Sequence, residues 1–413
     1  MIGLLGKGIN YSYSPEIHNV VLYKNGHQGD YQLFNKEMSE VSSFFEELKS
    51  NQGMCNVTVP YKLECMKHLD KIMGIAKLIG VNTVKYQDGQ LLGINTDIMG
   101  FQAMIEYHGI IFNKKEVVIL GNGATSRMIQ IAMTGVAKKV TVVSLMPKGN
   151  EIKYADITGG DIVINTTPLG SGDYVGKAPL TEKQVSMFST LIDLAYNPFY
   201  TELLNMGRLQ GKKVYNSLYM LVSQALHSQE FFYGDVYSKE LVDKIYKRLK
   251  TKHTNLVLIG MPGVGKTTIA NQLSKQLEAK VIDIDTEIIE REQTTIDKLF
   301  EVSEEHFRTI ETEITKDVSA NENAIISCGG GIVLNPENMK ALMSKGTVVF
   351  LDRDSELIKN DLSIEGRPLL ENFNSWLTTY EKRIELYKKY ADFEVNNSDM
   401  KQTITTLKEI WSD

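Results

Sequence analysis

The chain has 413 residues, 42% of them hydrophobic and 23% charged, with a formal net charge of -6. That length exceeds one ordinary core and calls for two or three domains. The acidic balance argues against a surface that coats nucleic acid or binds anionic membranes, so small-molecule partners are expected; the oligomeric state is not legible. From the start, MIGLLGKGINYSYSP is broken by Gly and polar residues before an apolar signal core can form, and no later stretch reaches membrane-spanning length. Cys55, Cys65 and Cys328 are too few and too scattered for a disulfide framework or a four-ligand zinc site. A cytoplasmic location is expected.

Ser12 and Ser14 lie just before Pro15, which can open a helix; alone, this is a cap and turn signal. GMCNVTVPYK at 53–62, GVNT at 80–83 and GINTD at 93–97 follow, and among them Lys62 and Asp97 are an ammonium and a carboxylate that would ordinarily be solvated. Apolar runs at 117–120, 140–144, 161–165 and 191–196 read as buried parallel strands with helices between most of them, an open α/β sheet whose ligands sit beyond the carboxyl ends of the strands. GNGATSR at 121–127 follows the first of these and NTTPLG at 165–170 a later one. A turn of the form G-x-G can offer N–H groups to a pyrophosphate, although alone it is a weak signal. VYSKELVDKIYKRLKTKH at 236–253 has the pattern of a charged amphipathic helix running into a polar linker, which places a domain boundary near 252.

Beyond it, strand patterns at 255–260 and 347–352 belong to a second α/β unit. GMPGVGKT at 260–267 follows the first of them and opens the helical TTIANQLSKQL, which is a full P-loop in its proper context. Gly260, Gly263 and Gly265 permit the tight turn, and the N–H groups from Val264 to Thr268 aim at phosphate oxygens. Lys266 neutralises charge, and the Thr267 hydroxyl can hold Mg²⁺.

The segments VIDIDTEIIE, EEHFRTIETE, ISCGGGIVL and GRPLLEN at 254–413 together resemble shikimate kinase. The resemblance implies ATP and Mg²⁺, with Asp283 in the magnesium shell and Asp285 orienting the acceptor hydroxyl and taking its proton. It implies Arg308 and Arg383 on the substrate carboxylate, Glu311 holding Arg308, Gly329, Gly330 and Gly331 letting backbone approach the ring, and Arg367 closing over the phosphates as part of a lid. An adenine-stacking Arg has no clear counterpart; Lys359 is the available cation.

The ordered motifs of the first half resemble shikimate dehydrogenase. Hydride reduction of a ketone leaves an alkoxide that needs a proton, and the resemblance puts Lys62 and Asp97 around that oxygen. It places Ser12, Ser14, Thr58, Asn82, Tyr196 and Gln224 on the substrate, and NADP, or NAD, on Gly121, Gly123, Ala124, Ser126 and Arg127. Three cofactor-side positions depart from the family pattern. Ala124 stands for a Gly, Ser144-Leu145-Met146 for the residues that take a 2′-phosphate, and Ser217 with Tyr219 for two glycines near the nicotinamide, where Tyr219 is expected to fill part of the pocket. Neither an acidic residue for an NAD ribose nor an Arg for NADP is visible after the second strand, and Lys148 is the nearest cation.

The expected architecture is a substrate domain at 1–98 completed by helices at 217–250, a Rossmann-like domain at 99–216 and a P-loop kinase at 253–413. The expected function is reduction of 3-dehydroshikimate to shikimate in 1–252, then phosphorylation of shikimate to shikimate 3-phosphate. The alternative is an active kinase behind a shikimate-binding domain of weak or no redox activity.

Overall fold

The computed structural model describes residues 1–361 and 373–412, and the chain divides into two compact units, Met1–Tyr246 and Lys247–Asp413. The first unit opens with six strands: β1 (Ile2–Gly6), β2 (Gln32–Asn35), β3 (Met54–Val57), β4 (Lys71–Ile72), β5 (Thr83–Gln87) and β6 (Gln90–Ile94). They form a mixed sheet in the order β2-β1-β3-β5-β6-β4, parallel at β1–β2, β1–β3 and β4–β6 and antiparallel at β3–β5 and β5–β6. The β5–β6 hairpin turns at Asp88 and Gly89, both at positive φ. Phe44, Phe45 and Leu48 of the helix Val41–Ser50 bury against Cys55, Val57, Val84 and Leu91 of this sheet.

Five parallel strands follow: β7 (Glu116–Leu120), β8 (Lys139–Val143), β9 (Ile162–Asn165), β10 (Thr190–Asp193) and β11 (Lys213–Asn216). Read from the far edge, their order is β8-β7-β9-β10-β11, a doubly wound sheet whose strand order reverses between β7 and β9. β9 and β10 are buried along their whole length, as strands covered on both faces must be. The chain then returns through the helix Leu218–Tyr233, which packs along the helix Asp97–His108 and against the helix Ser14–Lys24.

The second unit holds β12 (Asn255–Ile259), β13 (Lys280–Asp283), β14 (Ala324–Ser327), β15 (Gly346–Asp352) and β16 (Phe393–Asn396), all parallel, in the order β13-β14-β12-β15-β16. β12 and β14 are wholly buried and lie next to each other, so the loops leaving their carboxyl ends meet. The polar linker expected before β12 is replaced by helix: Lys239–His253 runs up to Thr254, and the strand starts at Asn255. The physical reason lies at its end, where Leu249 is buried, the Lys250 Nζ donates to the Ile410 carbonyl at 3.4 Å and the Trp411 indole donates to the Thr254 hydroxyl at 3.1 Å. Among the described residues no helix is long and apolar enough to cross a membrane. All three cysteines are free and buried.

Gly260, at φ +145, sets the exit from β12, and a β-carbon there would stand 2.3 Å from the Leu351 carbonyl oxygen of β15. Gly260→Ala is expected to destabilise the second unit by about 2–4 kcal/mol, because backbone cannot give way as a flexible side chain can. Both tryptophans of the chain, Trp376 and Trp411, are buried in that unit. Tryptophan fluorescence during urea unfolding should therefore shift its midpoint in this variant, while an activity or circular-dichroism signal from the first unit keeps its own.

Candidate active sites

In the first unit, Lys62 Nζ donates to Asp97 Oδ2 at 2.6 Å, with the two side chains only 14% and 12% exposed. Asp97 is the first residue of the helix Asp97–His108, where the helix dipole favours a carboxylate. Its other oxygen accepts from Asn82 Nδ2 at 2.9 Å. The Asn82 amide also donates to Thr96 Oγ1 and to Gln224 Oε1, and its carbonyl oxygen accepts from the Thr96 N–H at 2.8 Å. One buried amide thus ties the end of the β3–β5 connection, the turn after β6 and the helix Leu218–Tyr233 together. Ser12 Oγ lies 3.1 Å from Ser14 Oγ, and the Tyr196 hydroxyl, from the loop after β10, reaches Ser12 Oγ at 3.4 Å. Burial raises the Tyr196 phenol above its ordinary value, so it stays a neutral donor. Thr58 stands half-buried one residue beyond β3.

At the reversal between β7 and β9, Gly121 has φ +101, and a β-carbon there would meet Thr166 Oγ1 at 2.8 Å. Gly123 precedes the helix Ala124–Met133 in open space, with nothing within 4 Å of a β-carbon. A close backbone turn at a helix N-terminus, open on the ligand side, fits a dinucleotide pyrophosphate. Arg127 is exposed on the same helix, whereas Ser126 is fully buried and its hydroxyl accepts from Gln130 Nε2 at 3.3 Å. What Ser126 can offer a ligand is its backbone N–H rather than its side chain.

In the second unit a cavity of about 380 Å³ is lined by the P-loop, Asp283, Asp285, Arg308 and Gly329 to Gly331, with Arg383 on its rim. Lys266 Nζ donates to the Gly260 and Met261 carbonyls at 2.9 and 3.0 Å, curled over the loop it follows. Thr267 Oγ1 donates to Asp283 Oδ2 at 2.7 Å and lies 3.2 Å from Ser327 Oγ. Among the described residues no cluster of three metal-ligating side chains exists, but a hydroxyl, a carboxylate and a second hydroxyl are hard oxygen donors of the kind Mg²⁺ takes when phosphates and water complete its shell. Thr268 lines the cavity just after the loop, and Val264, within the loop, is fully buried, so its side chain is out of a ligand's reach.

Asp285 is pushed up to about 6, first by burial and then by the neighbouring Asp283 carboxylate. Arg308 Nη1 donates to Glu311 Oε2 at 2.8 Å, and burial raises the Glu311 carboxyl while Arg308 opposes it. Each glycine of the triplet makes room for one neighbour. A β-carbon on Gly329 would stand 2.7 Å from Asp285 Oδ1, on Gly330 2.7 Å from the Pro262 ring and on Gly331 2.5 Å from the Arg308 guanidinium. The Gly330 carbonyl accepts from Arg383 Nη1 at 3.1 Å and from the Tyr387 hydroxyl at 2.5 Å. Arg367 lies outside the described residues. Lys359 is exposed, with its ammonium 5.7 Å from the Phe373 ring centre.

A family model described as shikimate kinase matches residues 262–411, and one described as shikimate dehydrogenase substrate binding domain matches residues 4–84. The shikimate dehydrogenase (NADP(+)) of Clostridium beijerinckii is 36% identical over 259 residues, which are 59% of this chain and 96% of that protein. The chain belongs to the shikimate dehydrogenase family and carries a shikimate kinase domain. Shikimate dehydrogenase 1 of Peptoclostridium difficile matches in its crystal structure with 36% identity and a TM-score of 0.58, covering 60% of this chain and 97% of that one. A chorismate mutase/shikimate 5-dehydrogenase fusion protein of Clostridium acetobutylicum matches at 34% identity and a TM-score of 0.58, covering 61% and 97%. The chain therefore joins an oxidoreductase family to a phosphotransferase domain.

For the dehydrogenase half, one expectation is overturned. Tyr219 does not fill a nicotinamide pocket: its ring is 1% exposed and stacks on Tyr107 at 4.0 Å, with Tyr246 edge-on at 5.3 Å. Its hydroxyl donates to Asp243 at 2.7 Å, so the side chain points into the seam between helices. Ser217, the other departure, is buried and donates to the Leu194 carbonyl at 2.7 Å. Residues missed from the sequence are buried polar links. Asn56 accepts from the Tyr31 hydroxyl and donates to Thr83 and Ser228, and Ser228 lies 3.1 Å from Thr96. Glu151 was also missed; it accepts from Asn122 Nδ2 at 3.1 Å, inside the glycine turn. Asn56, Thr83 and Thr96 sit within motifs already singled out, but the bonds that join them to Tyr31 and Ser228, and Asn122 to Glu151, cross 25 or more residues and are made by tertiary contact alone.

Asn82→Ala should lower the stability of the dehydrogenase half by about 2–3 kcal/mol, since it leaves the Thr96 N–H and an Asp97 oxygen without their buried partner. Thermal unfolding followed by circular dichroism, with kinase activity as the internal control, measures it.

Proposed function

We propose that residues 1–252 reduce 3-dehydroshikimate to shikimate with a nicotinamide dinucleotide and that residues 253–413 phosphorylate shikimate to shikimate 3-phosphate with ATP and Mg²⁺. The observation that carries the first reaction is the Lys62–Asp97 pair, largely withdrawn from water beside hydroxyl-bearing residues. The dinucleotide, when bound on the Gly121–Gly123 turn, supplies hydride to the ring carbonyl. Lys62 stands to neutralise and protonate the oxygen that gains charge, and Asp97 holds that ammonium in place. Ser12, Ser14 and Tyr196 form a hydroxyl cluster suited to a carboxylate, and Thr58, Asn82 and Gln224 to ring hydroxyls. The relatives are named for NADP(+), and the reading of a mere binding domain loses one of its supports with Tyr219 buried elsewhere.

In the kinase half the supporting observation is a carboxylate with a raised pKa between the P-loop and two guanidinium groups. Lys266 and the loop N–H groups suit the phosphates, and Thr267 with Asp283 suits Mg²⁺. Arg308, braced by Glu311, and Arg383 suit the substrate carboxylate, which a guanidinium fork grips in two parallel bonds. Asp285 would then orient the acceptor hydroxyl and accept its proton. Arg367 and Lys359 would serve the closed, nucleotide-bound state.

Asp285 acts as its carboxylate, which is lost as pH falls through the folded value. Phosphorylation kcat/KM is thus expected to drop about tenfold per pH unit below about 6. A profile flat down to pH 4.5 would remove Asp285 from the proton-accepting role. Lys266→Ala is expected to abolish phosphate transfer and spare dinucleotide-dependent reduction, and Lys62→Ala to do the reverse, each by a factor of about 10² or more. Assays of both reactions on each purified variant test this, and a folded single variant that loses both would refute the assignment of separate chemistries.

A further inference from the structure

After β8 the chain makes an excursion through 144–151 and comes back. Ile152 pairs in parallel with Val143, the Ser144 N–H donates to the Ile152 carbonyl at 3.0 Å, and the Ile152 N–H donates to the Val142 carbonyl at 2.9 Å. The returning leg sets Glu151 at the carboxyl end of β8, where one carboxylate oxygen accepts from Asn122 Nδ2 at 3.1 Å and from the Lys148 N–H at 3.0 Å. Asn122 lies between Gly121 and Gly123, so a negative charge is fixed beside the turn that faces the pyrophosphate. Oε2 takes both bonds, which leaves Oε1 to accept from a ligand hydroxyl.

The outward face of the excursion has little to hold a phosphate. Leu145 and Met146 are 87% and 78% exposed, and the Ser144 hydroxyl already accepts from the Met146 N–H at 3.2 Å. Three cations are near in sequence: Lys148, which is exposed and whose backbone N–H already bonds to Glu151, Lys153, exposed two residues after Glu151, and Arg127, exposed on the helix Ala124–Met133. A carboxylate at this end of a doubly wound sheet accepts a hydrogen bond from a ribose 2′-hydroxyl and repels a 2′-phosphate.

We propose that Glu151 makes the dehydrogenase half select NAD(H), with its free 2′-hydroxyl, over the 2′-phosphorylated dinucleotide. The proposal rests on the reading of Gly121–Gly123 as a dinucleotide turn. Titration calorimetry of the full chain with NAD⁺ and, separately, NADP⁺ tests it, together with Glu151→Gln and Glu151→Ala. Wild type should bind NAD⁺ about tenfold or more tighter than NADP⁺, the scale of one hydrogen bond to a charged group. Glu151→Gln removes the charge and should raise NADP⁺ affinity about tenfold while changing NAD⁺ less, and Glu151→Ala should weaken NAD⁺. Tighter binding of NADP⁺ by wild type, or an affinity ratio unmoved by Glu151→Gln, overturns the proposal and leaves the dehydrogenase reading standing. Binding of neither dinucleotide overturns both.

Discussion

A parallel strand can be followed only by a crossover, and that constraint governs where anything can bind to this chain. Every carboxyl end in the sheet β7–β11, and every one in the sheet β12–β16, points to the same edge of its sheet, so the loops that can reach a ligand are gathered there. Where the strand order reverses, two loops diverge and leave a crevice. Gly121 and Thr166 face each other across one such place, and the P-loop and the Gly329–Gly331 turn across another. The glycines follow from the same geometry: neighbouring strands in register bring their exit loops within contact distance, and a side chain at Gly260 or Gly331 would occupy space that Leu351 or Arg308 already fills.

The mixed sheet of the first unit gathers its polar groups differently. Its antiparallel pairs β3–β5 and β5–β6 bring Asn56, Thr83 and the end of β6 together, and the helix Leu218–Tyr233, late in the chain, closes over them with Gln224 and Ser228. A polar group buried this far from water is costly unless bonded, so the cluster specifies one arrangement of the helix on the sheet. Lys62 and Asp97 inherit their positions from it. Asn82 binds Asp97 directly, and the Lys62 carbonyl accepts from the Val81 N–H at 2.8 Å, one residue before Asn82.

Local chemistry was legible and long-range chemistry was not. The P-loop, the buried parallel strands and the ordered motifs at 53–62, 80–83 and 93–97 rest on residues close in sequence, and the strands appear within a residue of the apolar runs except at 191–196, where β10 ends three residues early at Asp193. The six-stranded mixed sheet carried less of that pattern, since β2 has no buried position and β4 is two residues long, although β1 is wholly buried. The linker was misread because Leu249 and Lys250 look like an ordinary amphipathic tail until Ile410 and Trp411 are brought to it. Tyr219 went wrong for the reason Glu151 went unseen. A residue's place in a motif fixes its backbone, while the direction of its side chain depends on partners such as Tyr107, Asp243 or Asn122 that the motif does not contain.

The free cysteines carry a consequence for handling the enzyme. Cys55, Cys65 and Cys328 are all buried, and burial pushes each thiol up, Cys65 to about 12. Only a thiolate attacks alkylating reagents or disulfides. Cys328 is the telling case, because it lines the P-loop cavity beside Gly329 and burial still pushes its thiol well up. Burial and the raised pKa act together to slow reaction of these thiols in the folded protein. Slow uptake of an alkylating label at these positions becomes a clock for local opening, with Cys55 and Cys65 timing one unit and Cys328 the other.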